Sequence, residues 1–223
     1  GVIGALQAQF TPNKYDINLI RVDVNGAVNW TSSATVNGTA ALQSNGDALS
    51  LASDGAGGAY LVWGDTRTAA PTAGLYAAYY PNACTGPVCA DAWGGANRFD
   101  SASAFSNVNL AAGSVEGFAV AWSTTNNENG GNTFFQVVRN NGGSAAGLRG
   151  TPDLGPSYSR NSRSASIVDG GKPMYALGFN PAYTQGSAGP APVSVYDSSA
   201  AAVFTGYPLR SAATYMNVSQ ALG

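Results

Sequence analysis

The chain has 223 residues, 44% of them hydrophobic and only 10% charged, enough for one sizeable core but too few charges for a helical protein laced with salt bridges. Ten Lys and Arg against twelve Asp and Glu leave a net charge of −2, so no basic field exists for nucleic acid or for an anionic membrane surface. Histidine is absent, which removes Ser-His-Asp, Cys-His and His-ligated zinc chemistry together. No apolar run approaches the ~20 residues of a membrane-spanning helix, so membrane insertion is not expected. No leader segment is legible, as in a mature chain from which one has been removed.

In chain order, the sequence reads as short strands between turns rich in Gly, Asn, Asp and Ser. Gly1–Phe10 and Ile17–Val22 are apolar strands, and after the turn Asp23-Val-Asn-Gly26 a third lies around Trp30. Ser50–Trp63 is a hairpin with the Gly-rich turn Asp54-Gly-Ala-Gly-Gly58, followed by a strand over Leu75–Tyr80 and another around Trp93. The pattern returns as Val108–Trp122, Thr133–Val138 and a strand around Leu148, and again as Ala165–Phe179, Pro192–Tyr196 and a strand around Phe204. Tyr215–Gly223 resembles the first strand of such a hairpin, and Gly1–Phe10 resembles its second.

The aromatic residues that end these hairpins, Phe10, Trp63, Trp122 and Phe179, recur every 53 to 59 residues around the chain. Four strands per unit and four units are the sequence form of a β-propeller. The expected fold is therefore all-β: one domain over 1–223, a propeller of four four-stranded blades. Its units span about 47–104, 105–160, 161–212, and 213–223 joined with 1–46, so that one blade is completed by the N- and C-terminal strands. A half-propeller completed by another chain is the alternative. Ala59–Trp63 and Phe118–Trp122 are almost continuously apolar, as expected of inner strands covered on both faces. The C-terminal strand either folds back on its own N-terminal strand or pairs with that of the next molecule, since an open pair of apolar edges invites aggregation.

Asp54-Gly-Ala-Gly-Gly58-Ala-Tyr-Leu-Val-Trp63-Gly-Asp65-Thr-Arg67, with an Asp-x-Asn-Gly turn such as Asp23–Gly26, resembles a repeat of secreted bacterial β-propeller proteins. The resemblance is full for this copy and partial elsewhere: Gly113 follows Ala112 in place of an aspartate, while Asp169 and Gly170 keep both residues. It implies a propeller fold at an extracellular or cell-surface location, and it implies no single activity, because propellers host lectins, scaffolds and glycan-cleaving enzymes.

Asp54 and Asp169 precede Gly in hairpin turns, where a carboxylate accepts backbone hydrogen bonds. Asp54, Asp65 and Arg67 are also the charged candidates for a polar ligand, and Tyr79 and Tyr80 are candidates for stacking on a sugar. Asp23–Gly26 starts like a calcium loop but lacks its downstream ligands; no cofactor is expected, with calcium the one alternative. Cys84 and Cys89, separated by a turn containing Gly86 and Pro87, are expected to form a small disulfide, which points to an oxidising compartment. Glutamate occurs only at 116 and 128, and no pair of carboxylates stands at corresponding positions of adjacent units, as a glycosidase would need. The leading expectation is a secreted, non-catalytic structural or binding module, with extracellular glycans or copies of itself as partners. The alternative is a carbohydrate-active propeller enzyme that uses Asp carboxylates.

Overall fold

The computed structural model describes residues 1–11, 14–33, 49–65, 74–84, 86–93, 97–100, 106–123, 131–140, 145–148, 156–157, 163–169, 172–178, 192–197 and 202–208. These residues are all-β, with no helix among them. Strands consecutive in sequence pair antiparallel, so each sheet is a local meander. The first sheet holds β1 (Val2–Thr11), β2 (Lys14–Val22) and β3 (Val28–Ser33). The second holds β4 (Leu49–Ser53), β5 (Ala59–Asp65), β6 (Gly74–Tyr80) and β7 (Asn97–Asp100). In the third, β8 (Ser106–Ser114), β9 (Gly117–Ser123), β10 (Gly131–Asn140) and β11 (Ala145–Leu148) are joined by the short β12 (Pro156–Ser157) on β10. The fourth is β13 (Arg163–Asp169), β14 (Lys172–Gly178), β15 (Pro192–Asp197) and β16 (Ala202–Pro208).

The period of two along a strand decides which sheets meet. On β5 and β6, Tyr60, Val62, Leu75, Ala77 and Tyr79 turn to one side and pack with Phe118, Val120, Trp122 and Val138 of the third sheet. The alternate residues Leu61, Trp63, Tyr76, Ala78 and Tyr80 pack with Ile17, Leu19 and Trp30 of the first. The second sheet is thus layered between two others, which is why its central strands are apolar on both faces. Trp63 lies opposite Leu49 on β4 and Tyr76 on β6, and its ring stacks on Tyr76 at 5.8 Å between centroids.

Ala59–Trp63 and Phe118–Trp122 lie on β5 and β9, each the second strand of its hairpin, between β4 and β6 and between β8 and β10, and both runs are buried residue by residue, as expected of strands covered on both faces. Contacts from sheet to sheet also run along the first strands, β1 to β4, β4 to β8 and β8 to β13. One expectation is corrected: Trp93 is not on a strand; the fourth strand of its sheet is β7, which begins at Asn97. Asp91 takes the chain out of line there, its carboxylate accepting from the Tyr79 and Trp93 backbone N–H groups at 2.9 and 3.1 Å, and Ala92 N–H donates to Tyr79 O. Phe179, Arg67 and the 213–223 segment lie outside the described residues.

Candidate functional site

The Asp54–Gly58 and Asp23–Ala27 turns are held by their own polar groups. Asp23 Oδ1 accepts from the N–H groups of Asn25 and Ala27 at 2.8 and 2.9 Å. Asp54 is 2% exposed; its Oδ1 accepts from Ala56 and Gly58 N–H, each at 2.8 Å, and its Oδ2 accepts from the Tyr79 hydroxyl at 2.8 Å. The carboxylate is thereby occupied in shaping its turn and fastening it to β6. Asp65 ends β5, with its backbone opposite Gly74.

The two candidate tyrosines are neighbours in sequence on opposite faces of β6, and both are interior. Tyr79 stacks on Tyr60 at 4.6 Å between ring centroids and lies beside Trp93 at 6.0 Å. Tyr80 is fully buried and stacks with Trp30. A ring face enclosed in this way packs against protein and offers no shelf to a sugar. Burial drives the Tyr79 and Tyr60 hydroxyls well above the ordinary tyrosine range; the Asp54 carboxylate adds to both, and the Asn140 amide partly offsets it at Tyr60. Tyr80 is pushed up to about 12, first by burial and then by the negative charge of Asp91, with the Ser32 hydroxyl pulling the other way. All three hydroxyls therefore keep their protons at neutral pH; those of Tyr60 and Tyr79 donate hydrogen bonds, to Val115 O and Asp54 Oδ2.

A cleft of about 330 Å³ opens between the first and second sheets, at the end that carries the Asp54–Gly58 turn. Ile3 and Leu51 give it an apolar floor, Ser53, Gly57 and Gly58 give it a polar rim, and Arg21 is the charged side chain among its described lining residues. Arg21 lies opposite Ile3 across β1 and β2, and its Nη1 donates across the cleft to Asn82 O at 3.1 Å, which leaves further guanidinium donors for a polar ligand. No carboxylate is among the described lining residues. Sequence reasoning passed over Arg21; its only signal was a charge within the apolar run Ile17–Val22.

Two further features meet at this end. Cys84 and Cys89 form a disulfide, which fits an oxidising compartment, extracellular or periplasmic. Between the second and third sheets, Tyr60 Oη donates to Val115 O at 2.9 Å, Asn140 Nδ2 donates to the same carbonyl at 3.0 Å, and Trp93 Nε1 donates to Asn140 Oδ1 at 3.0 Å. Among the described residues no group of three or more His, Cys, Asp or Glu is placed to hold a metal ion, and no helix is long and apolar enough to cross a membrane. Compared with protein families, curated proteins and solved structures, the chain matches none.

Proposed function

We propose that the chain is a secreted, non-catalytic β-propeller module, a structural or binding element whose partners are extracellular glycans or further copies of itself. The observation that carries this reading is the edge of the first sheet. In the other three sheets the strands β5, β9 and β14 each have a partner on either side, whereas β1 lies at the edge of three described strands. The 213–223 segment repeats the apolar pattern of the strands that fill the equivalent place, and it is the strand we assign to β1. Four four-stranded sheets would then follow one another through the contacts of β1, β4, β8 and β13. An apolar strand edge with no partner among the described residues is a place for strand addition, and the Arg21 cleft beside it offers guanidinium donors to a hydroxyl-rich or acidic glycan.

The test is deletion of residues 213–223, read by thermal unfolding and by light scattering. A monomer that loses at least several degrees in unfolding temperature supports closure within one chain. Folded subunits that no longer assemble place the strand in a neighbouring copy and support the self-association form of the proposal. Unchanged stability with unchanged assembly overturns the fourth-sheet assignment.

A further inference from the structure

The outer edge of β3 does not stand bare. Thr31 N–H donates to Pro87 O at 2.9 Å, Cys89 N–H donates to Thr31 O at 3.0 Å, and Val88 forms a parallel bridge with Thr31. The Ser32 hydroxyl adds a hydrogen bond to Cys89 O. A segment from the second sheet thus serves as a fragment of strand on the first, and the hydrogen bonds that hold it come from Pro87 and Cys89. Cys89 is 1% exposed and sits in the same cluster as Trp30 and Tyr80, with Cys84 packed against it. A ring closed by cysteines five residues apart constrains little of an unfolded chain; what it constrains is the path of Gly86–Cys89.

We propose that the Cys84–Cys89 disulfide is a redox-gated clasp: oxidised, it holds Pro87–Cys89 on the edge of β3, and reduced by a dithiol, it lets that segment go. The clasp does not depend on the propeller reading. Cys84 is half-buried and Cys89 is buried, so the reductant's thiolate attacks Cys84 Sγ, forms a mixed disulfide and expels the Cys89 sulfur as thiolate. The second thiol of the reductant then displaces Cys84 and closes the reductant into its own disulfide. Two electrons and two protons pass from the dithiol to the two cysteines. With the ring open, Gly86 and the residues around it regain backbone freedom, the three hydrogen bonds on Thr31 and Ser32 loosen together, and β3 becomes a free edge.

Amide hydrogen exchange on the full chain, before and after treatment with a dithiol, tests this. The expected result is that the Thr31 and Cys89 amides exchange at least about tenfold faster on reduction, while those of Phe118–Trp122 on β9 stay protected. Reoxidation restores the original rates, and Cys84→Ser reproduces the reduced pattern without reductant. Unchanged rates at Thr31 and Cys89 overturn the clasp. So does loss of protection at β9 in step with them, since the disulfide is then a staple of the whole fold. A Cys84→Ser chain that keeps both amides protected overturns it as well.

Discussion

Asp54, Tyr79 and Tyr80 show how much a neighbour can change what a side chain does. The Asp-Gly pair at 54 and 55 marks a turn in sequence, and the structure gives Asp54 that role. The tyrosines were less legible, because alternation along a strand separates two faces without saying which is open, and on β6 both are covered. Their enclosure has a measurable consequence. Tyrosine in an unfolded chain ionises near 10.0, whereas Tyr80 in the folded chain is held up to about 12. Between these values the unfolded state has lost a proton that the folded state keeps, so this contribution to stability is complete below about pH 10 and is lost as pH rises toward 12. The ultraviolet absorbance of tyrosinate should therefore rise in step with loss of β structure for the buried rings. Full ionisation of all eleven tyrosines near pH 10 with the fold intact would contradict the placement of Tyr80.

At the scale of the element, glycines in the turns are not equivalent. A Cβ on Gly58 would lie 2.5 Å from Asp54 Oδ2 and 2.6 Å from Tyr80 O, so the turn and the end of β6 would have to part. Gly26 has a φ of +84° but nothing within 4 Å of the added atom, so alanine there meets only the conformational cost of the left-handed region. Gly58→Ala should destabilise by about 3 kcal/mol through overpacking, and Gly26→Ala by about 1 kcal/mol, both read by urea unfolding. Equal losses would mean that close approach at Gly58 is relieved by movement of the loop. Ile17–Val22, Leu75–Tyr80, Thr133–Val138 and Pro192–Tyr196 all lie on strands, as their apolar runs suggest. Trp93 does not, because an aspartate cap two residues earlier outweighs the propensity of an isolated aromatic residue.

Across the whole molecule, the second sheet is fastened to its neighbours in different ways. Toward the first sheet it uses the backbone of Pro87–Cys89; toward the third it uses Asn140, which joins Trp93, Tyr60 and Val115. Removing that amide leaves the Trp93 indole N–H without its acceptor and takes a donor from Val115 O and Tyr60 Oη, so Asn140→Ala should cost about 2–3 kcal/mol. A double-mutant cycle with Trp93→Phe should give a coupling of about 0.5–1 kcal/mol or more. Strict additivity in thermal or urea unfolding would show that the Trp93–Asn140 bond contributes nothing across the sheets.

The strands β2, β5, β6, β9, β10, β14 and β15, the hairpin turns between them and the disulfide were legible in the sequence alone, because each rests on local chemistry: alternation and β-branching, glycine where the chain reverses, and two cysteines with a turn between them. Only the tertiary structure decided which faces meet, since Tyr60 and Leu61 are equally ready to be buried and nothing local tells them apart. It alone revealed the cleft, where a single arginine on β2 reaches the Asn82 carbonyl in the connection after β6. It alone placed Pro87–Cys89 on β3, because that contact is made by backbone N–H and C=O groups, which every residue but proline carries in the same form.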